Sequence, residues 1–422
     1  MRRRGFLGAA GAAGMAALVQ GCAGGRAAGE RRQVVVVGGG FGGTIAARVV
    51  RRMDPSIDVT LIERDARHVC CPFSNHVLAG LKGLDDITVG YEALAARHGI
   101  RVIHDEVIAI DPDEREVTTR RTGAIAYDRL ILSPGIDFRF EELDGYDPVV
   151  TPTELPHAWK AGEQTLLLKR QIEAMPDGGS VLITVPPTPF RCPPGPYERA
   201  CLVAAYLKRA KPRSKVVVLD ANPEIVSLGA HFKKAWDSRF GGMIDHHPAM
   251  QVSRVDAKAK TVFVEGFVPF SADVVNLVPP QRAGLVATRA GLAGGRHWCE
   301  VDPDTFESRV QPGIHVIGDA AGGGAMPKSG TSANAQAKAC AVNVVALLNG
   351  ARPVAFSGLN VCYTALDDKV AASVAAVYRS AGGEIVAVPG AGGASPLDLS
   401  DGVLEHAYAE GWLRNIMAEM TG

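Results

Sequence analysis

The stretch QVVVVGGGFGGTIAARVV, residues 33–50, decides the fold. Its first five residues form an almost continuous β-branched run, which predicts a strand buried on both faces of a sheet. Gly38, Gly40 and Gly43 follow at the spacing Gly-x-Gly-x-x-Gly, and a helical segment begins at Thr44. A buried strand, a glycine turn and a helix in this order are the fingerprint of a dinucleotide-binding βαβ unit.

The next strand of this unit adds an acidic residue. The strand pattern Val59–Ile62 is followed by Glu63, about twenty residues after the glycines. A carboxylate at this place accepts hydrogen bonds from the adenosine ribose and disfavours a 2′-phosphate. The glycines let the backbone approach the pyrophosphate, and the helix N-terminus supplies N–H groups and a partial positive charge. We therefore predict that Gly38, Gly40, Gly43 and Glu63 bind a dinucleotide.

Two later segments favour FAD over NAD as this dinucleotide. Gly318 and Asp319 follow an apolar strand and resemble the second motif of flavoproteins with two dinucleotide-binding domains, in which the Asp holds the ribityl chain. The segment MPKSG, residues 326–330, then begins a helix whose N-terminus can stabilise the anion of reduced flavin. We predict that Gly318, Asp319, Lys328 and Ser329 contact the flavin.

A second βαβ pattern lies between residues 180 and 220, but its glycine turn is replaced by PPTPFRCPPGP, residues 186–196. Proline has no N–H to donate to a phosphate, and its ring prevents close approach. We therefore expect that this unit keeps its fold and has lost its pyridine-nucleotide site.

These patterns predict an α/β fold with two doubly wound, Rossmann-like domains that resemble the pyridine-nucleotide-disulfide oxidoreductases, plus a small α+β C-terminal domain. The FAD-binding domain is predicted over residues 31–150 and 281–352. A central NAD-like domain with a degenerate nucleotide site interrupts it over residues 151–280. A flavin-adjacent or interface domain is predicted over residues 353–422.

The first 30 residues are predicted to be an export signal. Arg3-Arg4-x-Phe6-Leu7 resembles the twin-arginine motif and precedes an Ala/Gly-rich stretch. We therefore expect a periplasmic protein, with Cys22 as an alternative site for a lipid anchor. Disulfides persist in such an oxidising compartment.

The composition excludes several classes of protein. Lys+Arg and Asp+Glu both number 45, so the chain lacks the basic surface of a nucleic-acid-binding protein. The hydrophobic fraction of 47% excludes a disordered chain, and no internal apolar run approaches the roughly 20 residues of a membrane span. We expect no nucleic-acid partner, no transmembrane span and no metal site.

The eight cysteines occur in different settings. Cys192 lies in the proline-rich loop and Cys362 in the tail domain, and thiols beside a lost nucleotide site are good catalytic candidates. Cys201 and Cys340 lie in apolar helical segments, where a cysteine is usually a small core residue.

A series of motifs resembles the flavoprotein subunit of flavocytochrome c sulfide dehydrogenase, over nearly the whole chain after residue 32. The run around Cys192 is highly specific. The motifs are Gly38–Gly43, Cys71-x-x-Ser74-Asn75, RCPPGPYER (191–199), MPKSG (326–330), NVCY (360–363), SVAAVYR (373–379) and Trp412-x-x-Asn415-Ile416.

The resemblance implies roles for individual residues. Cys71 matches the cysteine that links covalently to the flavin, Cys192 and Cys362 match a redox-active disulfide beside the flavin ring, and Glu198 matches the proposed active-site base. The departure is Cys70, because the family has one cysteine where this chain has two adjacent ones. Cys70 therefore stays an alternative for the covalent link.

The resemblance further implies FAD-dependent oxidation of sulfide to sulfur or polysulfide, with electrons passing to a cytochrome c subunit. That subunit would be a separate chain, because this one contains no Cys-x-x-Cys-His haem motif. The alternatives are a sulfide:quinone oxidoreductase and a non-catalytic flavin-binding electron-transfer protein. An NADH-dependent disulfide reductase is disfavoured by the proline-rich loop.

The predicted last helix bears on the choice between cytochrome and quinone. Acidic residues lie beside or across from its apolar stripe, and Arg414 is its only Lys or Arg. This pattern favours packing inside the protein, or against a basic cytochrome, over binding to an anionic membrane. The stripe comprises Leu404, Tyr408, Trp412, Leu413, Ile416 and Met420.

Overall fold

The computed structural model describes residues 31–422. The predicted export signal over residues 1–30 and the alternative lipid-anchor site at Cys22 lie outside the described residues.

The strands of the described part are numbered in chain order. They are β1 Gln33–Val37, β2 Asp58–Ile62, β3 Arg67–Val69, β4 Thr88–Gly90, β5 Arg101–Ile103, β6 Val107–Asp111, β7 Glu116–Thr119, β8 Gly123–Ala126, β9 Arg129–Leu132, β10 Ile136–Phe138, β11 Ser180–Val185, β12 Lys215–Asp220, β13 Ile244–His247, β14 Val252–Asp256, β15 Thr261–Val264, β16 Phe270–Ser271, β17 Val274–Asn276, β18 Gln281–Ala283, β19 Ile314–Val316, β20 Ser357–Ala365, β21 Ala371–Ala381 and β22 Glu384–Ala394.

The α-helices are numbered in the same way. They are α1 Phe41–Met53, α2 Ser74–Leu78, α3 Glu92–His98, α4 Thr151–Glu154, α5 Glu163–Ala174, α6 Gly195–Ala210, α7 Gly229–Ala235, α8 Leu285–Arg289, α9 Gly330–Leu348 and α10 Gly402–Thr421.

A five-stranded parallel sheet in the order β19-β9-β1-β2-β5 carries the glycine turn. Val35 pairs with Thr60 on one side and with Leu130 on the other, and Val34–Val37 are all buried, as their β-branched pattern predicts. The chain leaves this sheet after β9 and returns at β19, which pairs with β9 in parallel. The predicted α/β fold class and the predicted return of the chain to its first sheet are confirmed.

Two glycines of the turn are required by the packing between β1 and α1. Gly38 has φ +100°, and a Cβ there would lie 2.3 Å from the carbonyl oxygen of Ser133. A Cβ on Gly43 would lie 1.8 Å from the carbonyl oxygen of Gly38. Because neither glycine carries a side chain, α1 has room to begin directly beneath the end of β1.

A second parallel sheet, in the order β13-β12-β11-β17, forms the central part of the chain. Strands β11 and β12 lie at the two ends of the predicted βαβ pattern, residues 180–220, and pair in parallel over six residues. An antiparallel sheet of β14, β15 and β16 follows in the sequence. The second βαβ unit therefore forms with a proline-rich loop in place of a glycine turn.

The C-terminal part is an antiparallel sheet, in the order β20-β21-β22, followed by α10. The glycines and the proline after Val388 are typical of a loop, but β22 continues to Ala394. Ala387 pairs with Tyr378 and Gly392 pairs with Ala376. The residues of β22 between Ala387 and Gly392, which include Pro389, are therefore more numerous than those of β21 opposite them and form a bulge. An edge strand accommodates a proline at such a bulge because no ladder hydrogen bond is lost there.

The apolar stripe predicted for α10 is only partly packed. Leu413 and Met420 are buried, whereas Leu404 and Tyr408 are 49% and 51% exposed. The second half of the stripe therefore packs inside the protein, and the first half is exposed. Within residues 31–422, no helix has both the length and the apolar character to cross a membrane.

Candidate active site

A cavity of about 720 Å³ lies where the loops after β1, β9 and β11 meet the N-termini of α1, α6 and α9. Most of the predicted site residues share this cavity, although they come from distant parts of the sequence. Those that line it are Gly38, Gly40, Glu63, Cys71, Cys192, Glu198, Gly318, Asp319, Ser329 and Cys362.

The glycine turn forms one end of the cavity. Helix α1 begins after Gly40 without a side-chain cap, so its first N–H groups remain available to a phosphate. Glu63 accepts a hydrogen bond from the Gly39 N–H through Oε2 at 2.6 Å, and its Oε1 accepts the Asp65 N–H at 3.0 Å. A bare helix N-terminus beside an oriented carboxylate fits the pyrophosphate and ribose of FAD.

Asp319 lies further along the cavity, in a 3₁₀ turn, Gly318–Ala320. The Gly318 N–H donates to Gln336 Oε1 at 2.8 Å, which fixes the start of this turn. Burial raises the pKa of Asp319, and the nearby charge of Arg191 opposes this shift. Asp319 Oδ2 lies 3.8 Å from the Arg191 guanidinium.

Lys328 does not line the cavity. Its ammonium donates to the carbonyl oxygens of Asp319 and Ala321, both at 2.7 Å, and lies 3.7 Å from the ring centre of Trp298. Burial lowers its pKa to about 8. Lys328 therefore holds the turn that carries Asp319, rather than presenting its charge to a ligand.

Ser329 begins α9 as its N-cap and ties the helix to β20. Its hydroxyl oxygen accepts the Ser332 N–H at 3.0 Å, and its hydroxyl donates to Asn360 Oδ1 at 2.5 Å. The Asn360 amide in turn donates to Cys362 Sγ at 3.5 Å. The predicted flavin-side residue Ser329 therefore also sets the position of Cys362.

Cys192 is held in an unusual backbone conformation. Its φ is +61°, a left-handed geometry that costs a non-glycine residue about 1–2 kcal/mol. Its N–H donates to the carbonyl oxygen of Lys328, and its carbonyl oxygen accepts the Gly195 N–H, both at 2.8 Å. The loop is therefore anchored on both sides of the residue that carries the sulfur.

Cys192 and Cys362 line the same cavity and are partly buried thiols in the structure. Burial raises the pKa of both thiols, and the Glu198 carboxylate raises both further. The nearby Cys362 also raises the pKa of Cys192. The structure brings the two sulfurs into one site, and the disulfide between them stays a prediction.

Glu198 occupies the first turn of α6 with both carboxylate oxygens bound. Oε1 accepts the Ala365 N–H at 2.9 Å, and Oε2 accepts the Asn75 side-chain amide at 2.8 Å. Burial raises the pKa of Glu198, while these hydrogen bonds lower it. A carboxyl group with a raised pKa beside two thiols is suited to proton transfer.

A network that the sequence did not predict holds Glu198 in place. Arg199 is 1% exposed and donates to Asn75 Oδ1 at 2.8 Å, which orients the amide that binds Glu198. It also donates to Asn276 Oδ1 at 2.8 Å and to the carbonyl oxygen of Ala158 at 2.6 Å. Both Asn75 and Arg199 lie within motifs of the sequence, but their contact joins residues more than a hundred positions apart.

The adjacent cysteines 70 and 71 point to different places. Cys71 lines the cavity, and its thiol donates to the carbonyl oxygen of Trp159 at 3.6 Å. Cys70 is fully buried in an apolar cluster with Phe73 and Met420, and burial raises its pKa to about 12. Of the two, Cys71 is placed to reach a ligand in the cavity.

The second βαβ unit uses its acidic residue internally. Asp220 ends β12, where a nucleotide-binding unit would offer a carboxylate to a ribose, but it is fully buried. Its Oδ2 accepts the Tyr197 hydroxyl at 2.6 Å and lies 3.1 Å from His246, while its Oδ1 accepts the Asn222 N–H at 2.9 Å. The carboxylate is therefore bound by the protein itself.

Cys201 and Cys340 are both fully buried in apolar clusters, as predicted. Gly43 lies behind the cavity lining, where its lack of a side chain allows α1 to pack. The predicted site residues that line the cavity therefore form two sets. The flavin-side set is Gly38, Gly40, Glu63, Gly318, Asp319 and Ser329, and the sulfur-side set is Cys71, Cys192, Glu198 and Cys362.

This fold and cavity define a flavoprotein with two dinucleotide-binding-type domains, one of which has lost its glycine turn. A family model for pyridine nucleotide-disulphide oxidoreductases matches residues 32–164. Models for the central part of the sulfide dehydrogenase (flavocytochrome c) flavoprotein chain and for the flavin-binding part of flavocytochrome c sulphide dehydrogenase match residues 165–279 and 355–421.

The chain belongs to the family of flavocytochrome c sulfide dehydrogenase flavoprotein subunits. It is 59% identical over 46 residues to the flavoprotein chain of Chlorobaculum thiosulfatiphilum, which covers 11% of this chain and 96% of that relative. It is also 26% identical over 322 residues to the mitochondrial sulfide:quinone oxidoreductase of Mus musculus, which covers 71% of this chain and 67% of the relative.

The fold is similar to that of a solved sulfide:quinone oxidoreductase from Aquifex aeolicus. The TM-score is 0.74 at 20% identity, over 92% of this chain and 91% of the other. At this identity the likeness concerns the fold alone. The predicted family and fold class are confirmed.

Replacing Arg199 with Lys should destabilise the protein by about 3 kcal/mol, because buried acceptors on Asn75 and Asn276 would lose their donors. Urea unfolding measures the change. Arg209→Lys is the control on the same helix, since Arg209 is partly exposed and makes contacts of 3.3 Å to Asp368 and to Ala79. The control should change stability by no more than about 0.5 kcal/mol. Equal stability of the two variants would contradict the structural role of Arg199.

Proposed function

We propose that this protein oxidises sulfide with bound FAD through a Cys192–Cys362 disulfide and passes the electrons to a separate c-type cytochrome. The observation that carries the proposal is the placement of both sulfurs and Glu198 in the cavity that also contains the dinucleotide-binding turn. Export to the periplasm, where a disulfide would persist, is part of this proposal.

The residues that would hold FAD come from both halves of the first sheet. Gly38, Gly40 and Glu63 fit its adenosine diphosphate part, and Asp319 fits its ribityl chain. Bound FAD would supply a two-electron acceptor that can release its electrons one at a time. Cys71 is the cavity-lining cysteine that we propose for the covalent link.

The disulfide gives hydrosulfide a bond to attack. A new S–S bond forms between the hydrosulfide sulfur and one cysteine, the Cys192–Cys362 bond breaks, and the other cysteine leaves as a thiolate. Glu198 takes the proton of the resulting persulfide. Re-formation of the bridge expels the outer sulfur of the persulfide as zero-valent sulfur and releases two electrons, for which bound FAD would be the acceptor.

The second candidate function is a sulfide:quinone oxidoreductase. The relatives of that name support it, and one structural observation also favours it. Val403, Leu404 and Tyr408 are exposed on the first half of α10, and His406 of the same segment lines the cavity. An apolar surface at this place would suit a quinone or a membrane.

Replacing either Cys192 or Cys362 with Ser should abolish the bleaching of flavin absorbance by sulfide, because the S–S bond that hydrosulfide attacks can no longer form. Stopped-flow absorbance under anaerobic conditions measures the bleaching. The double variant should be no slower than either single variant, since the two sulfurs act as one unit.

Cys340→Ala is the matched control for these variants, because Cys340 is a buried core cysteine away from the cavity. It should bleach at the parent rate. Unchanged bleaching in Cys192→Ser would show that the disulfide does not carry the reaction.

Cys71→Ser should release FAD on denaturation, whereas the parent and Cys70→Ser should retain it. The reason is that Cys71 faces the cavity while Cys70 is enclosed in the apolar cluster. Intact-mass spectrometry of the denatured proteins detects the retained FAD. Retention by Cys71→Ser together with loss by Cys70→Ser would reverse the assignment.

The electron acceptor is tested by steady-state turnover with sulfide. We expect reduction of cytochrome c and little reduction of decylubiquinone, because α10 carries acidic residues beside its exposed apolar side chains. Turnover with decylubiquinone and not with cytochrome c would establish the second candidate instead.

A further inference from the structure

The side chains of Asn360 and Cys362 lie on the same face of β20, because residues two positions apart share a face of a strand. The Asn360 amide donates to Cys362 Sγ at 3.5 Å, and its Oδ1 lies 3.7 Å from the same sulfur. Asn360 is 3% exposed and does not line the cavity, whereas Cys362 does. The amide therefore contacts this sulfur from the interior of the protein.

Two hydroxyl groups of α9 decide which way the Asn360 amide points. Ser329 Oγ accepts the Ser332 N–H at 3.0 Å, so its own proton can be donated elsewhere, and Asn360 Oδ1 accepts it at 2.5 Å. The Ser332 hydroxyl donates to the same oxygen at 3.2 Å. An amide whose oxygen is held by two donors keeps its N–H₂ group for another partner, and that partner is Cys362.

The surroundings of Cys362 otherwise disfavour a negative charge on its sulfur. Burial raises the pKa of Cys362, and hydrogen bonds from Asn360 and Ser329 lower it. Within residues 31–422, no cation is among the groups that shift this pKa. The titratable groups whose charges couple to Cys362 are Glu198 from α6, Cys192 from the loop before α6 and Tyr378 from β21. Stabilisation of a thiolate here therefore depends on the hydrogen bonds, of which that of Asn360 contributes most.

We propose that Asn360 is a positioning residue that stabilises a thiolate at Cys362 and so makes this sulfur a better leaving group when the bridge opens. The inference rests on the proposed function and deepens it. Attack by hydrosulfide conserves atoms and charge, Cys–S–S–Cys + HS⁻ → Cys–S–SH + Cys–S⁻, and the S–S bond that breaks leaves its electron pair on the released sulfur. On Cys362 that sulfur accepts the Asn360 N–H in a charge-assisted hydrogen bond, which is stronger than the bond to a neutral disulfide. A leaving thiolate that is better stabilised departs faster.

Alkylation of the reduced protein measures this stabilisation directly, because the thiolate is the form that reacts. Asn360→Leu removes the N–H₂ group at nearly the same side-chain size. At neutral pH, iodoacetamide should label Cys362 about fivefold more slowly in this variant than in the parent, since a smaller fraction of the sulfur is a thiolate. The two rates should converge at a pH above both thiol pKa values, where the sulfur is a thiolate in both proteins. Mass spectrometry of the peptide that contains Cys362 follows the labelling.

Asn343→Leu is the matched control. Asn343 is a buried amide of α9 that donates to the carbonyl oxygens of Asp304 and Val354 at 2.7 and 2.9 Å, and it does not line the cavity. Its replacement should lower the melting temperature and leave the labelling of Cys362 unchanged. Equal slowing of labelling in both variants would show a general packing effect and overturn the role of Asn360. Asn360→Ala, with the same expected slowing, serves where Asn360→Leu does not fold.

Stopped-flow absorbance links the labelling to the reaction. Sulfide should bleach the flavin about fivefold more slowly in Asn360→Leu than in the parent, and Asn343→Leu should bleach at the parent rate. Labelling of Cys362 at the parent rate in both Asn360 variants would overturn the stabilisation of its thiolate. Slower labelling together with parent bleaching would show that Cys362 is not the sulfur released.

Failure of the proposed function has a different signature. It would appear as a parent protein whose flavin is not bleached by sulfide. The labelling comparison uses the reduced protein without sulfide, so it distinguishes the contribution of Asn360 from the activity of the site.

Discussion

The buried guanidinium of Arg199 is the interaction on which the geometry of the sulfur-side site depends. Its hydrogen bonds reach α2 through Asn75, β17 through Asn276 and the linker before α5 through Ala158. A buried cation is strongly unfavourable unless these bonds are all made. Folding therefore brings the three segments together, and Glu198, the neighbour of Arg199, acquires its position from the same contacts.

The connection between β11 and α6 occupies the place of a phosphate-binding turn but has a different chemical role. In a nucleotide-binding unit this turn presents backbone N–H groups to a phosphate. Here prolines remove such groups, the following Asp220 is bound internally, and the turn instead presents Cys192. Its anchoring to Lys328 and Gly195 fixes the sulfur on the cavity wall that the fold already provides beside the flavin-side residues.

The regular parts of the fold were predictable because they depend on local patterns. The strands β1, β11 and β12 and the glycine turn follow from β-branched runs and from steric limits within a few residues. The role of Lys328 was not predictable in this way, because a lysine near a flavin motif can point to the ligand or to backbone carbonyls. Only the hydrogen bonds of its ammonium to the carbonyl oxygens of Asp319 and Ala321, which the structure shows, decide between the two.

The contacts of the sulfur-side site could not be predicted from the sequence for a similar reason. Motifs indicated that Glu198 and Cys71 belong to a site, but the Asn75–Arg199 contact depends on tertiary structure. The two adjacent cysteines differ through their surroundings, since Cys70 packs against α10 residues that lie more than three hundred positions away.

The electrostatics of this cavity favour neutral groups. Enclosure raises the pKa of Glu198, Cys192 and Cys362 and lowers that of His76, so each is shifted toward its uncharged form. The guanidinium of Arg191 opposes this at Cys192, whose pKa its charge lowers. An anion that enters such a site is destabilised unless it lies near Arg191 or forms a bond. A neutral disulfide suits such a site, but its opening by hydrosulfide would release a thiolate, which the enclosure disfavours and which the charge of Arg191 stabilises at Cys192.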